Sequence, residues 1–550
     1  MSPFDPDRPL PAHLVPYKRS GAWRETTLAA LARAHAEAAP DSEVIAGCAP
    51  AMTAGRASGE AEALAAALQE LGLRPGDRIA FQLPNWEETV VIALALAMGG
   101  FVAVPIVPIY RDAEMLQMLA DCGCRALFLT PRFRSFDYAA MAERIAPRLP
   151  DLRHVVFVRG EGPGHRYDDL LDAGRGRVPA DPGTSPDAAK LLLYTSGTTG
   201  RPKGVLHSQN TLNAVLDMCV RHWGIRAGET ILMPSPVTHL TGYGFLELPF
   251  LVGSRTLLME SWNAAEAARL IDMHGVVGTV SATPFLVELT EAAEAAGTRL
   301  PSLRFFACGG AAVPPGVIRR ANAAFARAPA FRIFGCTEAP LISMGFLGTG
   351  TQELAATTDG RVEDYEVRVL DEQDRPLPPG REGEIAARGP AMLLGYLDAD
   401  QTAAALTADG FYRTGDLGLV TDENAVVITG RRKDLIIRGG ENISAKEIED
   451  VLHRHPQILE AAVVAMPHPR LGEGVCAFVV PASGAALDTQ ALLGFVAEAG
   501  LARQKIPERV EFREALVKTP TGKVRKDLLR AEIRDLLAGA ETASAARGKA

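Results

Sequence analysis

Lys190-Leu191-Leu192-Leu193-Tyr194-Thr195-Ser196-Gly197-Thr198-Thr199-Gly200-Arg201-Pro202-Lys203-Gly204 joins an apolar run to a stretch dominated by Gly, Ser and Thr. The run at 190–194 reads as a strand buried on both faces. The stretch after it reads as an anion-binding loop. Its small residues let the backbone approach a phosphate, its N–H groups and hydroxyls donate, and Lys203 adds charge. The phosphate loop of kinases and GTPases is excluded, because GxxxxGK[ST] is absent. A plain surface loop would not need so many donors directly behind a buried strand.

The same alternation extends outward. Short apolar runs at 78–83, 126–130, 153–158 and 277–280 are separated by amphipathic helical segments. That pattern predicts an α/β protein with mainly parallel sheets covered on both faces. Residues 89–110 carry no charge, and as one helix they would span roughly 33 Å, enough for a bilayer. Gly99-Gly100 and Pro105 interrupt them, so the reading is a buried helix at 86–98, a turn, and a strand at 102–106, with no membrane span. From 361 to 387 short alternating strands with Pro/Gly turns predict a small β subdomain. After Gly430-Arg431-Arg432-Lys433-Asp434 a compact α+β unit begins, with a strand at 435–437, a helix at 445–454 and a strand at 461–466. The expected domains are a large N-terminal domain over 1–432, including a β subdomain at 361–432, and a small mobile C-terminal domain over 433–537. Residues 538–550 are expected to form a frayed tail.

Composition narrows the function. A chain of 550 residues exceeds one core. Its net charge of -9, spread along the sequence, argues against a nucleic-acid partner. The seven cysteines have no regular spacing, which points to reduced thiols and a cytoplasmic protein. Cys122-Gly123-Cys124 has no ligand cluster around it and reads as buried apolar packing rather than a metal pair. The N-terminal MSPFDPDRPLPAHL lacks a signal pattern.

Four further motifs follow the loop. In Phe334-Gly335-Cys336-Thr337-Glu338 an aromatic ring can stack on a base, a hydroxyl can hold a phosphate, and a carboxylate can hold Mg²⁺ beside phosphate oxygens. Gly309-Gly310-Ala311 lies upstream of it. Tyr412-Arg413-Thr414-Gly415-Asp416-Leu417-Gly418 offers a carboxylate suited to two ribose hydroxyls, with Arg431 close behind. Thr519-Pro520-Thr521-Gly522-Lys523 supplies a cation near the C-terminus.

Taken in order, these motifs resemble those of the acyl-adenylate-forming superfamily, which comprises acyl-CoA synthetases, peptide-synthetase adenylation domains and luciferases. The resemblance covers nearly the whole chain. It implies an ATP site at Thr195, Ser196, Gly197, Thr198, Thr199, Gly200, Lys203, Gly310, Ala311, Phe334, Gly335, Thr337, Asp416 and Arg431. It implies Lys523, Thr337 and Glu338 as catalytic residues, with Glu338 holding Mg²⁺. It also implies two half-reactions, in which a carboxylate attacks the α-phosphate of ATP and a thiol, usually that of CoA, then attacks the adenylate. Rotation about a hinge at Lys433 would withdraw Lys523 and present Ile437-Arg438-Gly439-Gly440-Glu441-Asn442, whose glycines Gly439 and Gly440 leave room for a pantetheine arm. A Gly-Gly hairpin turn is the plain alternative. Phe334 stands where Tyr is commoner, and His468 where Asp is often found. The segment Ala51-Met-Thr-Ala-Gly-Arg-Ala-Ser58 lacks an aromatic common there.

The acid pocket is expected at His239, Tyr243, Ser281, Ala282, Thr283, Gly309 and Cys336. Amino-acid-activating relatives carry an Asp for the substrate ammonium, whereas Met233–Phe245 has no carboxylate. The stretches FQLPNWEETVV, MPSPVTHLTGYGF and SATPFL resemble the branch of cyclohexanecarboxylate-CoA and medium-chain acyl-CoA ligases. That implies an uncharged alicyclic, branched or medium-chain acid. An enzyme that hands its adenylate to an acyl-carrier protein stays open as the alternative, as does a homodimer.

Overall fold

In the computed structural model the described residues are all except Met1, 196–201, Ala312, Thr349, Gly440, Ser483, Ala486, 520–521 and 548–550. The chain forms two compact units. The first comprises 1–310, 317–367 and 387–412; the second comprises 311–316, 368–386 and 413–550.

The first unit contains two large sheets. One has eight strands, in the order Gly395–Tyr396, Lys203–Ser208, Ala189–Thr195, Val102–Pro105, Arg78–Gln82, Ala126–Leu129, His154–Phe157 and His165–Arg166. The pairings from Ala189–Thr195 through to His165–Arg166 are parallel. The other has seven strands and holds Ala330–Arg332, Phe305–Cys308, Val276–Ser281, Thr230–Met233 and Arg255–Leu258 side by side, all parallel. The apolar runs seen in the sequence are these strands, and the parallel-rich α/β expectation is borne out. Most of their residues are apolar and buried because helices cover the sheets. Val90 to Leu96 of the helix Glu87–Met98 are at most 1% exposed, inside one continuous core with Phe81, Leu191 and Leu193. Gly100, at φ +68°, makes the turn into Val102–Pro105, so the uncharged run is a helix, a turn and a strand. No described helix is long and apolar enough to cross a membrane.

The second unit has most of a four-stranded sheet, Glu366–Leu370, Gly383–Arg388, Tyr412–Val420 and Val426–Arg431, at the place expected for a β subdomain. It continues into a five-stranded sheet built on the long antiparallel pair Ile458–His468 and Gly472–Pro481. The alternation of those two strands buries both faces. Val463, Val475 and Val479 pack against the helices Ala445–Leu452 and Thr489–Glu498, while Val464, Phe478 and Val480 pack against Leu529 and Ile533 of the last helix. That helix runs Lys526–Arg547, so helix continues into the segment read as a frayed tail. The alanines there favour helix. Packing divides the chain at 412/413. The expected boundary at 432/433 concerns rotation, which compactness does not address.

Candidate active site

The stretch read as a phosphate loop is flanked by two paired strands. Ala189–Thr195 pairs antiparallel with Lys203–Ser208, setting Thr195 opposite Lys203 and Tyr194 opposite Gly204. The strand character of 194–195 and 203–204 shortens the loop read from the sequence. Ser196, Gly197, Thr198, Thr199 and Gly200 lie outside the described residues. At the loop's base Tyr194 donates its hydroxyl to the Asp121 carboxylate at 2.8 Å.

The returning strand leads to the Phe334–Glu338 motif. His207, wholly buried, donates from Nε2 to the Thr337 carbonyl at 2.7 Å. Burial pushes its pKa down to about 4 against the opposing pull of that bond, so the ring is neutral at ordinary pH. Glu338 is buried and held at both ends. Its carbonyl accepts from Leu393 N at 2.8 Å, and its Oε1 accepts the Tyr396 hydroxyl at 2.8 Å. The Tyr412 hydroxyl lies 3.3 Å from that of Tyr396. Lys203 Nζ stands 5.3 Å from the centre of the Tyr396 ring. Lys203, Thr337 and Glu338 are therefore gathered into one cluster by His207 and Tyr396. Neither of those two was singled out from the sequence; their partners lie 130 and 58 residues away.

The motif's own backbone is tightly folded. A Cβ on Gly335 would stand 2.5 Å from Leu341 N, so only glycine fits. Phe334 N donates to Ser343 Oγ at 2.8 Å. Buried Arg332 pairs with Asp359, and Ser343 Oγ donates to the Asp359 carbonyl.

The expected pocket residues sit where strands end. Ser281 closes Val276–Ser281, Gly309 follows Phe305–Cys308, and Phe334 follows Ala330–Arg332, three adjacent parallel strands pointing the same way. Ligands bind beyond the carboxyl ends of such strands. Gly309 N donates to the Ser281 carbonyl at 3.2 Å. Gly310 follows at φ +79°. Ala282 caps the helix Thr283–Ala296, and the Ser235 and Ser281 hydroxyls lie 3.3 Å apart. His239 caps Leu240–Val252. Tyr243, one turn on, is 0% exposed, stacks on Phe81 at 6.5 Å, and its hydroxyl has no hydrogen-bond partner among the described residues. Cys336 is half-buried. Glu247 on the same helix is fully engaged: Lys190 Nζ lies 2.5 Å from Oε1 and Gln209 Nε2 donates to Oε2 at 3.0 Å. Burial lowers the Lys190 pKa against the pull of Glu247.

In the second unit Asp416 and Arg431 face each other across antiparallel strands, with Arg431 Nε donating to Asp416 Oδ1 at 2.7 Å. Burial of the Asp416 carboxyl outweighs Arg431, Lys523 and Lys433, which all favour its charged form, and its pKa is raised. Burial likewise lowers the Lys433 pKa, helped by Arg431. These four charges thus act on one another within one unit. Ala311 falls in this unit. Lys523 N donates to Thr519 Oγ1 at 3.1 Å. Arg438 and Glu441 pair across Leu435–Arg438 and Glu441–Ser444, leaving 439–440 as their connection. Gly439 adopts φ +61° there, and Gly440 lies outside the described residues. All seven cysteines are free; Cys122 and Cys124 are buried. Among the described residues no group of three His, Cys, Asp or Glu could hold a metal.

Comparison with known proteins gives the family. Residues 32–397 match the AMP-binding enzyme family and 447–523 match the AMP-binding enzyme C-terminal domain. The chain is 34% identical to the medium-chain fatty-acid–CoA ligase of Escherichia coli K12, over 94% of this chain and 92% of that protein. It is 32% identical to the 2,3-dihydroxybenzoate-AMP ligase of Bacillus subtilis 168, over 95% and 97%. The fold superposes on the crystal structure of ATP-bound MatB from Rhodopseudomonas palustris with a TM-score of 0.81 and 26% identity, covering 93% of this chain and 100% of that one. Matched by the family models and by relatives along nearly the whole sequence, the chain is a member of the AMP-binding enzyme family of adenylate-forming ligases.

Proposed function

We propose that the protein is an AMP-forming acid–thiol ligase that adenylates an uncharged carboxylic acid and passes the acyl group to CoA. The observation that carries this reading is the cluster around Glu338. A buried carboxylate, oriented by Tyr396, stands in one contact chain with Lys203 at the base of the phosphate loop. In the first step a carboxylate oxygen attacks the α-phosphorus and pyrophosphate leaves with its bonding electrons. Lys203 and the loop would hold the departing phosphates, Thr337 the α-phosphate, Asp416 the ribose hydroxyls with Arg431 beside them, and Phe334 the adenine face. Lys523 would offset the repulsion between the two anions as they meet. In the second step the thiol sulfur attacks the acyl carbon, the acyl–oxygen bond breaks, the thiol proton is released and AMP departs. Between the steps Lys433 would serve as the hinge and 437–442 would face the pantetheine arm.

Magnesium fits Glu338 as an ion that arrives with the nucleotide. A single carboxylate plus phosphate oxygens suffices for Mg²⁺. Bound there, the ion would neutralise charge on the phosphates.

The uncharged acid is supported by what surrounds the expected pocket. The carboxylate nearest in sequence to His239 and Tyr243, Glu247, is occupied by Lys190 and Gln209 and leaves nothing for a substrate ammonium. An alicyclic, branched or medium-chain acid suits these walls. The fatty-acid–CoA ligase relative supports CoA as acceptor, and the AMP-ligase relative supports an enzyme that stops at the adenylate, which a carrier protein could then accept. AMP release from a panel of carboxylic acids, with and without CoA, tests both. A CoA ligase turns over only when CoA is added; an enzyme serving a carrier protein retains its adenylate in either case.

A further inference from the structure

The Glu338 carboxylate is held by a side chain that touches none of the reacting groups in the chemistry above. Tyr396 ends the short strand Gly395–Tyr396 at the edge of the eight-stranded sheet, opposite Val205 of the loop hairpin. Its hydroxyl donates to Glu338 Oε1 at 2.8 Å. A phenol has one proton, so Tyr412, at 3.3 Å, supplies the hydrogen between the two tyrosines. Tyr396, Tyr412 and Glu338 are 4%, 6% and 8% exposed, which keeps water from competing for these bonds. The ring of the same tyrosine presents its face to Lys203 Nζ at 5.3 Å. One side chain therefore sets the direction of the carboxylate and of the lysine.

We infer that Tyr396 is a positioning residue of the ATP site. It fixes Glu338 so that its remaining oxygen meets the metal–phosphate group, and it keeps Lys203 at the base of the phosphate loop. The inference rests on the reading of Glu338 as the carboxylate that meets Mg²⁺.

The test is calorimetric binding of ATP to the full chain without any acid, once in MgCl₂ and once in EDTA. Tyr396→Phe keeps the ring and loses the hydroxyl. It should weaken ATP binding in MgCl₂ about tenfold, the scale of one hydrogen bond to a charged group, and leave binding in EDTA within about twofold. Tyr396→Leu also loses the ring, and should cost a further factor of about two to five in EDTA through Lys203. Tyr412→Phe, milder for the fold, should shift the MgCl₂ value about two- to threefold in the same direction. In a Glu338→Gln background, adding Tyr396→Phe should change nothing more. A merely structural tyrosine would weaken binding in both buffers alike, and that result overturns the inference. So does an unchanged Tyr396→Phe when Glu338→Gln abolishes the advantage of MgCl₂. If Glu338→Gln retains that advantage, the metal reading falls and the inference falls with it.

Discussion

His207 offers a direct test of the packing around Thr337. The ring is wholly buried, with Nε2 bonded to the Thr337 carbonyl and Nδ1 3.1 Å from Thr211 Oγ1. Burial lowers its pKa from 6.5 to about 4. The folded value lies below the unfolded one, so on acidification the unfolded chain takes up this proton first. Stability from the neutral ring is complete above about pH 6.5 and is lost as the pH falls toward about 4. At 1.36 kcal/mol per unit, the loss between about pH 7 and about pH 5 is ~2 kcal/mol, and the full shift is worth ~3 kcal/mol. The perturbation is His207→Gln, whose amide can still donate but does not titrate. All four tryptophans, Trp23, Trp86, Trp223 and Trp262, lie in the unit that holds His207. Their fluorescence during urea unfolding therefore reports that unit. The wild type should lose ~2 kcal/mol more than the variant over that interval. Stability curves that fall in parallel, or an imidazole resonance titrating at an ordinary histidine pKa, would refute the argument.

Three further outcomes follow from the site. Lys523→Ala should slow ATP–pyrophosphate exchange at least ~10²-fold, while a preformed acyl-adenylate still reacts with the thiol; unchanged exchange would remove Lys523 from the chemistry. Lys433→Pro should impair thioester formation far more than adenylation in single-turnover assays, and equal loss of both would argue against a hinge there. Gly335→Ala forces a Cβ against a backbone nitrogen at 2.5 Å; it should destabilise the tryptophan-bearing unit by about 1–3 kcal/mol in urea and lower exchange.

Much of the frame was readable because it is written locally. The apolar runs at 78–83, 126–130 and 153–158 needed only composition and length to be called buried strands, and the structure places strands at Arg78–Gln82, Ala126–Leu129 and His154–Phe157. Gly99-Gly100 ended a helix for reasons that belong to glycine itself. The extent of the phosphate loop was less legible. Its Gly, Ser and Thr residues signal anion binding, but the pairing of Thr195 with Lys203 comes from a returning strand. The last helix, anchored by Leu529 and Ile533, runs on to Arg547, a span that composition alone does not mark.

The sequence by itself determined the class of chemistry, since anion-binding glycines, the Thr337–Glu338 pair, Asp416 and Lys523 are fixed by residue type and order. Only the tertiary structure decided what holds those groups in place. His207 reaches Thr337 across 130 residues, Tyr396 reaches Glu338 across 58, and Asp416 meets Arg431 through strand register. The reason is physical: a residue's chemistry is intrinsic, whereas its orientation and its pKa are set by neighbours that only folding brings together and by the water that burial removes.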